Sequence, residues 1–459
     1  MMRKQAAVAA MALALCGSVQ AQSNEELKAL LDQALKTIQD LQGRVKALEQ
    51  QKPANATAAA ASVAATPATA ASAGTGTWGA PIVSMGTRAE DGAADADKAR
   101  VEFYGQAMID AIQDFKRMNP QWNATERPSQ IPVNCPGDAG CGKDGATIFS
   151  VRQSSLGFKA FVPTGLGVLK TDLSFDLFAS DGSTNVHWLN AWAEIGMFGV
   201  GQTYSNFMDI DVFPNTIDYW GPSGMVFVRN PQLRVTPWAK DGMSVAFSLE
   251  APNSALDTGK ISDIAPEFGA GFVGWNRLPD LTGSWRMDGD WGHVKVAGIL
   301  RQVGYQNTLT PDNNPSGHKT GYGLNLAGAF KVLGTDQINV QLVAGEAIAS
   351  YMNDGGVDLA PGQGLRAETV PSLGWLAYYN HAWSDKWSST IGFSQHQQNN
   401  TDGQTGTAFR RGSYGNVNLL YTPAKNVLTG LEFVYGELEQ KSGESAIDYR
   451  LQFSTKVTF

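Results

Sequence analysis

Residues 449–459 read Tyr449-Arg450-Leu451-Gln452-Phe453-Ser454-Thr455-Lys456-Val457-Thr458-Phe459. Tyr449, Leu451, Phe453, Thr455, Val457 and Phe459 fall on one side of an extended chain, and Arg450, Gln452, Ser454, Lys456 and Thr458 on the other. A period of two with one apolar and one polar face predicts a strand between two unlike environments. A soluble sandwich uses the same pattern, so the surroundings must decide.

The opposite terminus narrows the choice. Residues 1–21 carry Arg3 and Lys4, an apolar run from Ala6 to Leu15, and the small-residue site Val19-Gln20-Ala21, the plan of a secretory signal. Cys16 follows Leu15, where lipoprotein signals need a small residue, so acylation is disfavoured. No later stretch supplies the roughly 18 uninterrupted apolar residues of a spanning helix. The chain has 459 residues, 50 of them Gly, with 10% aromatic and 17% charged residues, which is too apolar for disorder. Lys and Arg total 35 against 43 Asp and Glu, in runs no longer than two, which excludes a nucleic-acid partner. An exported, glycine-rich and aromatic chain with half-apolar strands fits an all-β transmembrane barrel, and an aromatic last residue resembles the insertion signal of bacterial outer-membrane barrels.

Residues 22–51 are different. Leu27, Leu31, Ala34, Ile38, Leu41, Val45 and Leu48 alternate by four and three, the seam of an oligomerising coiled coil too short to stand as a lone helix. An amphipathic helix lying on a surface is the alternative. The seam does not choose between two and three strands. Residues 52–100 are dominated first by Ala, Thr, Ser and Pro and then by loose acidic sequence, a linker.

From residue 101 to 459, short alternating runs recur between turns, as in Leu169–Leu177, Ser244–Glu250, Ile338–Leu342 and Leu431–Tyr435. At roughly 22 residues per strand with its connection, these 359 residues predict about 16 antiparallel strands, enough to leave an aqueous channel. Trp188, Trp192, Trp275, Trp285, Trp291, Trp375, Tyr378, Tyr379, Trp383, Trp387, Tyr414 and Tyr421 are expected in interfacial girdles, with some packed between subunits.

Cys135 and Cys141 lie in a Pro/Gly-rich loop and predict a disulfide; two thiolates with no nearby His make a poor metal site. The five His are scattered, and no paired-His spacing or phosphate-cradling glycine loop is present, so neither an enzyme nor a cofactor is expected.

The segment Gly201–Pro222 is long for a hairpin connection and mixes carboxylates with Phe207, Met208, Ile210, Val212 and Phe213. A loop that folds into a pore needs apolar residues to pin it and polar ones to face water; an outer loop packed on a neighbouring subunit is the alternative. The expected constriction and solute-binding residues are Tyr204, Asn206, Asp209, Asp211 and Asp218, with Arg229 and Arg234 just after the loop. Strand parity turns Lys159, Lys170, Arg286, Lys295, Arg301 and Arg450 toward the lumen, with Arg234, Lys331 and Lys456, against Asp110, Asp172, Asp176, Glu194, Glu250, Asp280 and Glu432.

The stretch from Val151-Arg152-Gln153-Ser154-Ser155-Leu156-Gly157-Phe158-Lys159 through Gly201-Gln202-Thr203-Tyr204-Ser205-Asn206-Phe207-Met208-Asp209 resembles the DcaP-like family of trimeric outer-membrane porins. So do Phe213-Pro214-Asn215-Thr216, Gly221-Pro222-Ser223-Gly224 and Val226–Arg234. The resemblance implies a 16-stranded homotrimer in outer-membrane lipid and lipopolysaccharide that admits small anionic solutes such as dicarboxylates. Ser155 stands where many porins carry Arg. Residues 101–459 hold 25 Lys+Arg and 34 Asp+Glu, net −9, which favours a general or cation-tolerant porin unless the narrowest water meets Arg229 and Arg234. There Asp209, Asp211 and Asp218 would shape a transverse field; if the charged pairs only fasten the loop, that preference fails. A structural barrel holding the coiled coil to the cell wall, through peptidoglycan, is the reading from another class.

Overall fold

The computed structural model describes residues 99–459. The expected signal segment, coiled coil and nearly all of the linker lie outside the described residues. Among the described residues twenty strands occur, and sixteen of them close an antiparallel barrel. The wall runs β1 (Arg100–Asp114), β3 (Ser155–Thr164), β4 (Gly167–Phe178), β5 (Thr184–Ile195), β6 (Phe198–Tyr204), β7 (Arg229–Lys240), β8 (Met243–Glu250) and β10 (Asp280–Gly289). It continues through β11 (Gly292–Asn307), β12 (Gly317–Val332), β13 (Asp336–Glu346), β16 (Pro371–Ala382), β17 (Trp387–Gln398), β18 (Phe409–Ala424), β19 (Val427–Gln440) and β20 (Ser445–Thr458). Two short strands extend the wall where a strand line is broken: β2 (Ala146–Ser150) pairs with β1 above β3, and β9 (Phe272–Gly274) pairs with β11 above β10. The remaining two, β14 (Leu359–Pro361) and β15 (Ala367–Thr369), form a separate hairpin.

Closure falls on the strand first read from the sequence. β20 pairs with β1 from Gln106↔Thr458 to Asp114↔Arg450. Phe459 completes the seam by exchanging backbone hydrogen bonds with Gly105. A Cβ on Gly105 would stand 2.5 Å from the Ser155 carbonyl and 2.8 Å from the Phe459 ring, so the seam needs glycine there. Ile447, Phe453 and Val457 are exposed outward, whereas Asp448, Arg450, Gln452 and Ser454 are buried inward. The polar face is therefore the covered one, the inverse of a soluble sandwich.

One rim carries tight turns and the other long loops. Asp241 and Gly242, at φ 54° and 74°, join β7 to β8 in the left-handed pattern that matches strand twist. At the opposite rim stand the connections 115–145, 251–279 and 347–370, the second holding α1 (Lys260–Ile264) and α2 (Pro266–Ala270). In bacterial barrels short turns are periplasmic and long loops outside.

Aromatic residues gather on the outer face near the turns, where Trp387 stacks on Tyr421 (4.4 Å) and Trp291 on Phe330 (5.9 Å). Three residues expected in the girdles turn inward instead: Trp192, Tyr378 and Tyr414 are buried on the lumen side. For Trp192 the cause is a register shift between Ser174 and Phe175 in the β4–β5 pairing, which changes the parity of β5. Tyr378 and Tyr414 pack against the constriction-loop region, Tyr378 in its apolar cluster and Tyr414 donating to Asp218 (3.2 Å).

Candidate functional site

Residues 205–228, between β6 and β7, leave the wall and cross the lumen. Phe207, Met208, Val212, Phe213, Met225 and Val226 are buried in one apolar cluster with the inward residues Ile299, Val343, Leu376 and Tyr378 and with Ile348, Tyr351 and Met352. A buried loop must also satisfy its backbone, and here lumen-facing amides do so. Asn325 Nδ2 donates to Phe207 O (2.9 Å), Asn339 to Val212 O (3.2 Å), Asn418 to Asn215 O (2.6 Å) and Gln341 to Gly224 O (3.2 Å). Gln452 and Gln153 both donate to Ile217 O (2.8 and 2.9 Å), and Lys295 Nζ to Met208 O (2.5 Å). Sequence reasoning missed this ring of amides; its signal is Asn or Gln at inward positions of successive strands.

The expected site residues separate into distinct neighbourhoods. Asp209 is buried; it shares a hydrogen bond with His293 Nε2 (2.8 Å) and pairs with Arg286 (3.4 Å). Burial pushes its carboxyl up, but the His293 hydrogen bond and the charges of His293, Arg286 and Lys295 prevail and hold it well below the usual carboxylate range. Asp211, 29% exposed, pairs with the same Arg286 at 2.5 Å, and Asp288 completes the cluster at 2.7 Å. Asp209, Asp211 and His293 could present three metal-ligand atoms to one another, but Arg286 already supplies the cation between the carboxylates.

Asp218 lies elsewhere, accepting from Thr125 Oγ1 (2.8 Å), Glu126 N (2.9 Å) and Gly221 N (3.2 Å). It therefore joins this loop to residues of the first long loop. Asn206 donates to Ala246 O (3.1 Å) and accepts from Ser284 Oγ (2.7 Å), holding the loop to β8 and β10.

Arg229 Nη2 donates to Tyr204 Oη (2.5 Å) while its guanidinium lies 4.1 Å over the Tyr204 ring. Arg234 is buried and donates to Tyr204 O (2.6 Å), Gln232 Oε1 and Ser248 Oγ, beside the Trp192 ring. Of the two arginines after the loop, Arg229 is half-buried and Arg234 is tied to the loop's root. Lys159 on β3 lies 5.2 Å over the Tyr104 ring, whose hydroxyl donates to Asp172. Asp172 also lies within electrostatic reach of Lys159 and Arg229, and Tyr204 within reach of Asp172 and Asp211. Tyr204, Asp211 and Arg229 are thus gathered with Lys159, Tyr104 and Asp172.

Three further lumen-facing cations are ion-paired. Arg301 pairs with Asp280 (3.1 Å) and Asp358 (3.5 Å), Arg450 with Asp114, Glu126 and Asp448 (3.0, 2.9 and 2.8 Å), and exposed Lys170 with Glu194 (3.6 Å).

Sequence reading also missed that two further loops enter the lumen. Asp354 in 347–370 accepts from Arg127 Nε (2.8 Å) and Ser129 N (2.7 Å) in 115–145, and Trp220 Nε1 donates to Asn353 O (3.0 Å). Cys135 and Cys141 form a disulfide in the first of these loops, with Cα atoms 5.5 Å apart.

A family model described as DcaP outer membrane protein matches residues 82–456. Among solved structures, the outer membrane channel DcaP of Acinetobacter baumannii superposes with a TM-score of 0.66 at 20% identity, covering 79% of this chain and 97% of that one. An anion-selective porin from Comamonas acidovorans superposes with a TM-score of 0.53 at 7% identity, covering 79% and 100%. No curated protein matches the chain. At these identities the likeness is one of fold.

Proposed function

The chain belongs to the DcaP outer membrane protein family, and from that premise we propose that it is a diffusion porin for small hydrophilic solutes with a preference for small anions such as dicarboxylates. The observation that carries the preference is the state of the lumen cations. Arg286, Arg301 and Arg450 are neutralised by carboxylates within ion-pair distance. Among the described residues, neither Arg229 nor Lys159 has a carboxylate within ion-pair distance: Arg229 contacts Tyr204 and Phe227 and Lys159 the Tyr104 ring, with Asp172 acting on both from farther away. Cations held on aromatic faces keep their charge available to a passing carboxylate. Asp172, within electrostatic reach of both cations, and Asp211, within reach of Tyr204, supply the opposing charge of the field. Net charge is then a poor guide, because Asp209 and Asp218 are buried in the loop's own anchorage.

We assign the finer features on the same basis. The protein works as a homotrimer in outer-membrane lipid and lipopolysaccharide, with residues 22–51 as a coiled coil in the periplasm, where peptidoglycan is the available partner. No catalytic role is assigned to any residue. A general or cation-tolerant porin remains the second reading, favoured by Asp211 and Asp288 standing 29% and 26% exposed.

The test is the double substitution Arg229→Ala with Lys159→Ala in planar bilayers. Removing one charge about 6 Å from the ion path changes each ion's energy by about 0.7 kcal/mol in water, or about 0.4 kcal/mol at 0.1 M salt. The chloride-to-potassium permeability ratio should fall by about threefold or more per charge. An unchanged reversal potential would leave these residues as loop fasteners and favour the second reading.

A further inference from the structure

A second polar site lies among the long loops, bordering the loop 205–228. A cavity of about 680 Å³ opens between the loops 115–145, 251–279, 347–370 and the β18 and β19 ends, within the size range of small-molecule sites. Its one lining arginine is Arg127, and the way it is held is unusual for a surface cation. The guanidinium sits in the angle between the rings of Trp122 (4.1 Å) and Trp220 (4.2 Å), which meet edge to face with centroids 5.0 Å apart. Its Nε is bound to Asp354 (2.8 Å). Two ring contacts and one ion-paired edge therefore hold it, and the edge carrying Nη1 and Nη2 has no hydrogen-bond partner among the described residues. The fork is pre-oriented, so a carboxylate meeting it would spend little side-chain entropy.

The rest of the lining is mostly neutral and hydrogen-bonding. Asn253, Thr407 and Gln440 line the cavity with Arg127, and Gln440 Oε1 is buried with no partner among the described residues. An orphaned amide oxygen beside a cavity is an acceptor waiting for a donor. Phe409 adds one apolar wall. Asp138, the one lining carboxylate, is turned to its own loop, accepting from Val133 N (2.9 Å) and Asn134 N (2.8 Å).

From this arrangement we infer that the cavity is a capture site for a small hydroxylated monocarboxylate of the sugar-acid type, its carboxylate on Arg127 and its hydroxyls on Gln440, Asn253 and Thr407. With Asp354 already on Nε, the remaining Nη edge offers one two-pronged hydrogen-bonding fork, which suits a single carboxylate better than a phosphate dianion, and the amides and hydroxyl select a polyol chain over a bare fatty acid. The inference rests on the channel reading, since a site at the outer mouth serves a solute that passes onward.

The experiment is isothermal titration calorimetry on the full-length protein in detergent with gluconate, sorbitol and acetate as probes. Gluconate should bind best, and Arg127→Gln should weaken it at least about tenfold, the usual worth of a charge-assisted pair. Because Arg127→Gln also removes the contacts with Trp122 and Trp220 and could loosen the loops, Gln440→Leu is the second variant; it should weaken gluconate several-fold and leave acetate unchanged. Equal gluconate affinity in wild type and both variants, or sorbitol binding as well as gluconate, would overturn the site. Calorimetry does not depend on conduction: Arg127-dependent binding in a barrel silent in bilayers would refute the channel alone, and a conducting barrel without it would refute this site alone.

Discussion

Arg450 is the side chain on which loop and wall most depend. It is fully buried on β20 and meets Asp114 and Asp448 of the wall, Glu126 of the loop 115–145, and Asn123 O of the same loop (3.1 Å). Replacing it with Met keeps an apolar stem of similar reach and removes the one cation that, among the described residues, is paired with these three carboxylates. Breaking a buried ion pair by deleting one partner costs about 3–5 kcal/mol, because the remaining charge is left uncompensated. Spread over the unfolding entropy of a described region this size, about 0.75 kcal/mol per degree, that is a drop of about 5 °C in the apparent midpoint. The assay is thermal unfolding in detergent at fixed heating rate, read by the shift in electrophoretic mobility between folded and heated barrel. The deficit should also depend on pH in a defined direction. Glu126 is held well above the usual carboxylate range, by burial first and the Asp448 charge next, against the pull of Arg450. Without Arg450 it rises further; a carboxyl raised in the folded state loses stability as pH rises from its unfolded value through its folded one. The gap between wild type and Arg450→Met should therefore be smaller near about pH 5 than near about pH 8. A midpoint within about 1 °C of wild type at both pH values would refute the reasoning and mean that the triad is neutral without its arginine.

Three other outcomes follow from the same contacts. Phe207→Ala empties the centre of the loop's apolar cluster, where Phe207 is fully buried; the loss of about 3–5 kcal/mol is borne by the loop while the amide anchors persist, so single-channel noise should rise with barrel assembly intact. Quiet traces identical to wild type would mean the amides alone fix the loop. Reducing the Cys135–Cys141 disulfide, whose sequence separation is 6, should cost about 2 kcal/mol, seen as faster proteolysis within 115–145 at unchanged conductance; no change in cleavage would make it dispensable. Deleting residues 24–51 should weaken oligomer assembly, measured by light scattering, and leave insertion intact, because the closing strand and Phe459 remain; failure to insert would overturn that division.

Period-two alternation reveals a strand and its two faces, so β20 and the inward set Arg286, Lys295, Arg301 and Arg450 were legible from the chain alone. The loop 205–228 was legible because carboxylates and large apolar residues share a segment too long for a turn. Its anchors were not, since Asn325, Asn339, Gln341 and Asn418 look like ordinary polar positions until the loop carbonyls stand opposite them. Parity also fails wherever a bulge adds a residue, as it does before Trp192. Aromatic content cannot separate lipid from lumen, because a Tyr with a buried partner, such as Tyr414 with Asp218, is as satisfied inside as at the interface. The entry of 115–145 and 347–370 into the lumen rests on Arg127, Asp354 and Asn353 meeting across long sequence separations, which no local pattern encodes.

The central claim is that the open part of the lumen favours anions despite an acidic chain. A planar-bilayer recording of the wild-type protein under a KCl gradient tests it most directly, with dicarboxylate then added on the loop side. The expected result is a reversal potential displaced toward chloride, conductance steps in threes, and interruptions that lengthen with dicarboxylate concentration. A reversal potential displaced toward potassium, with currents indifferent to the dicarboxylate, would contradict it.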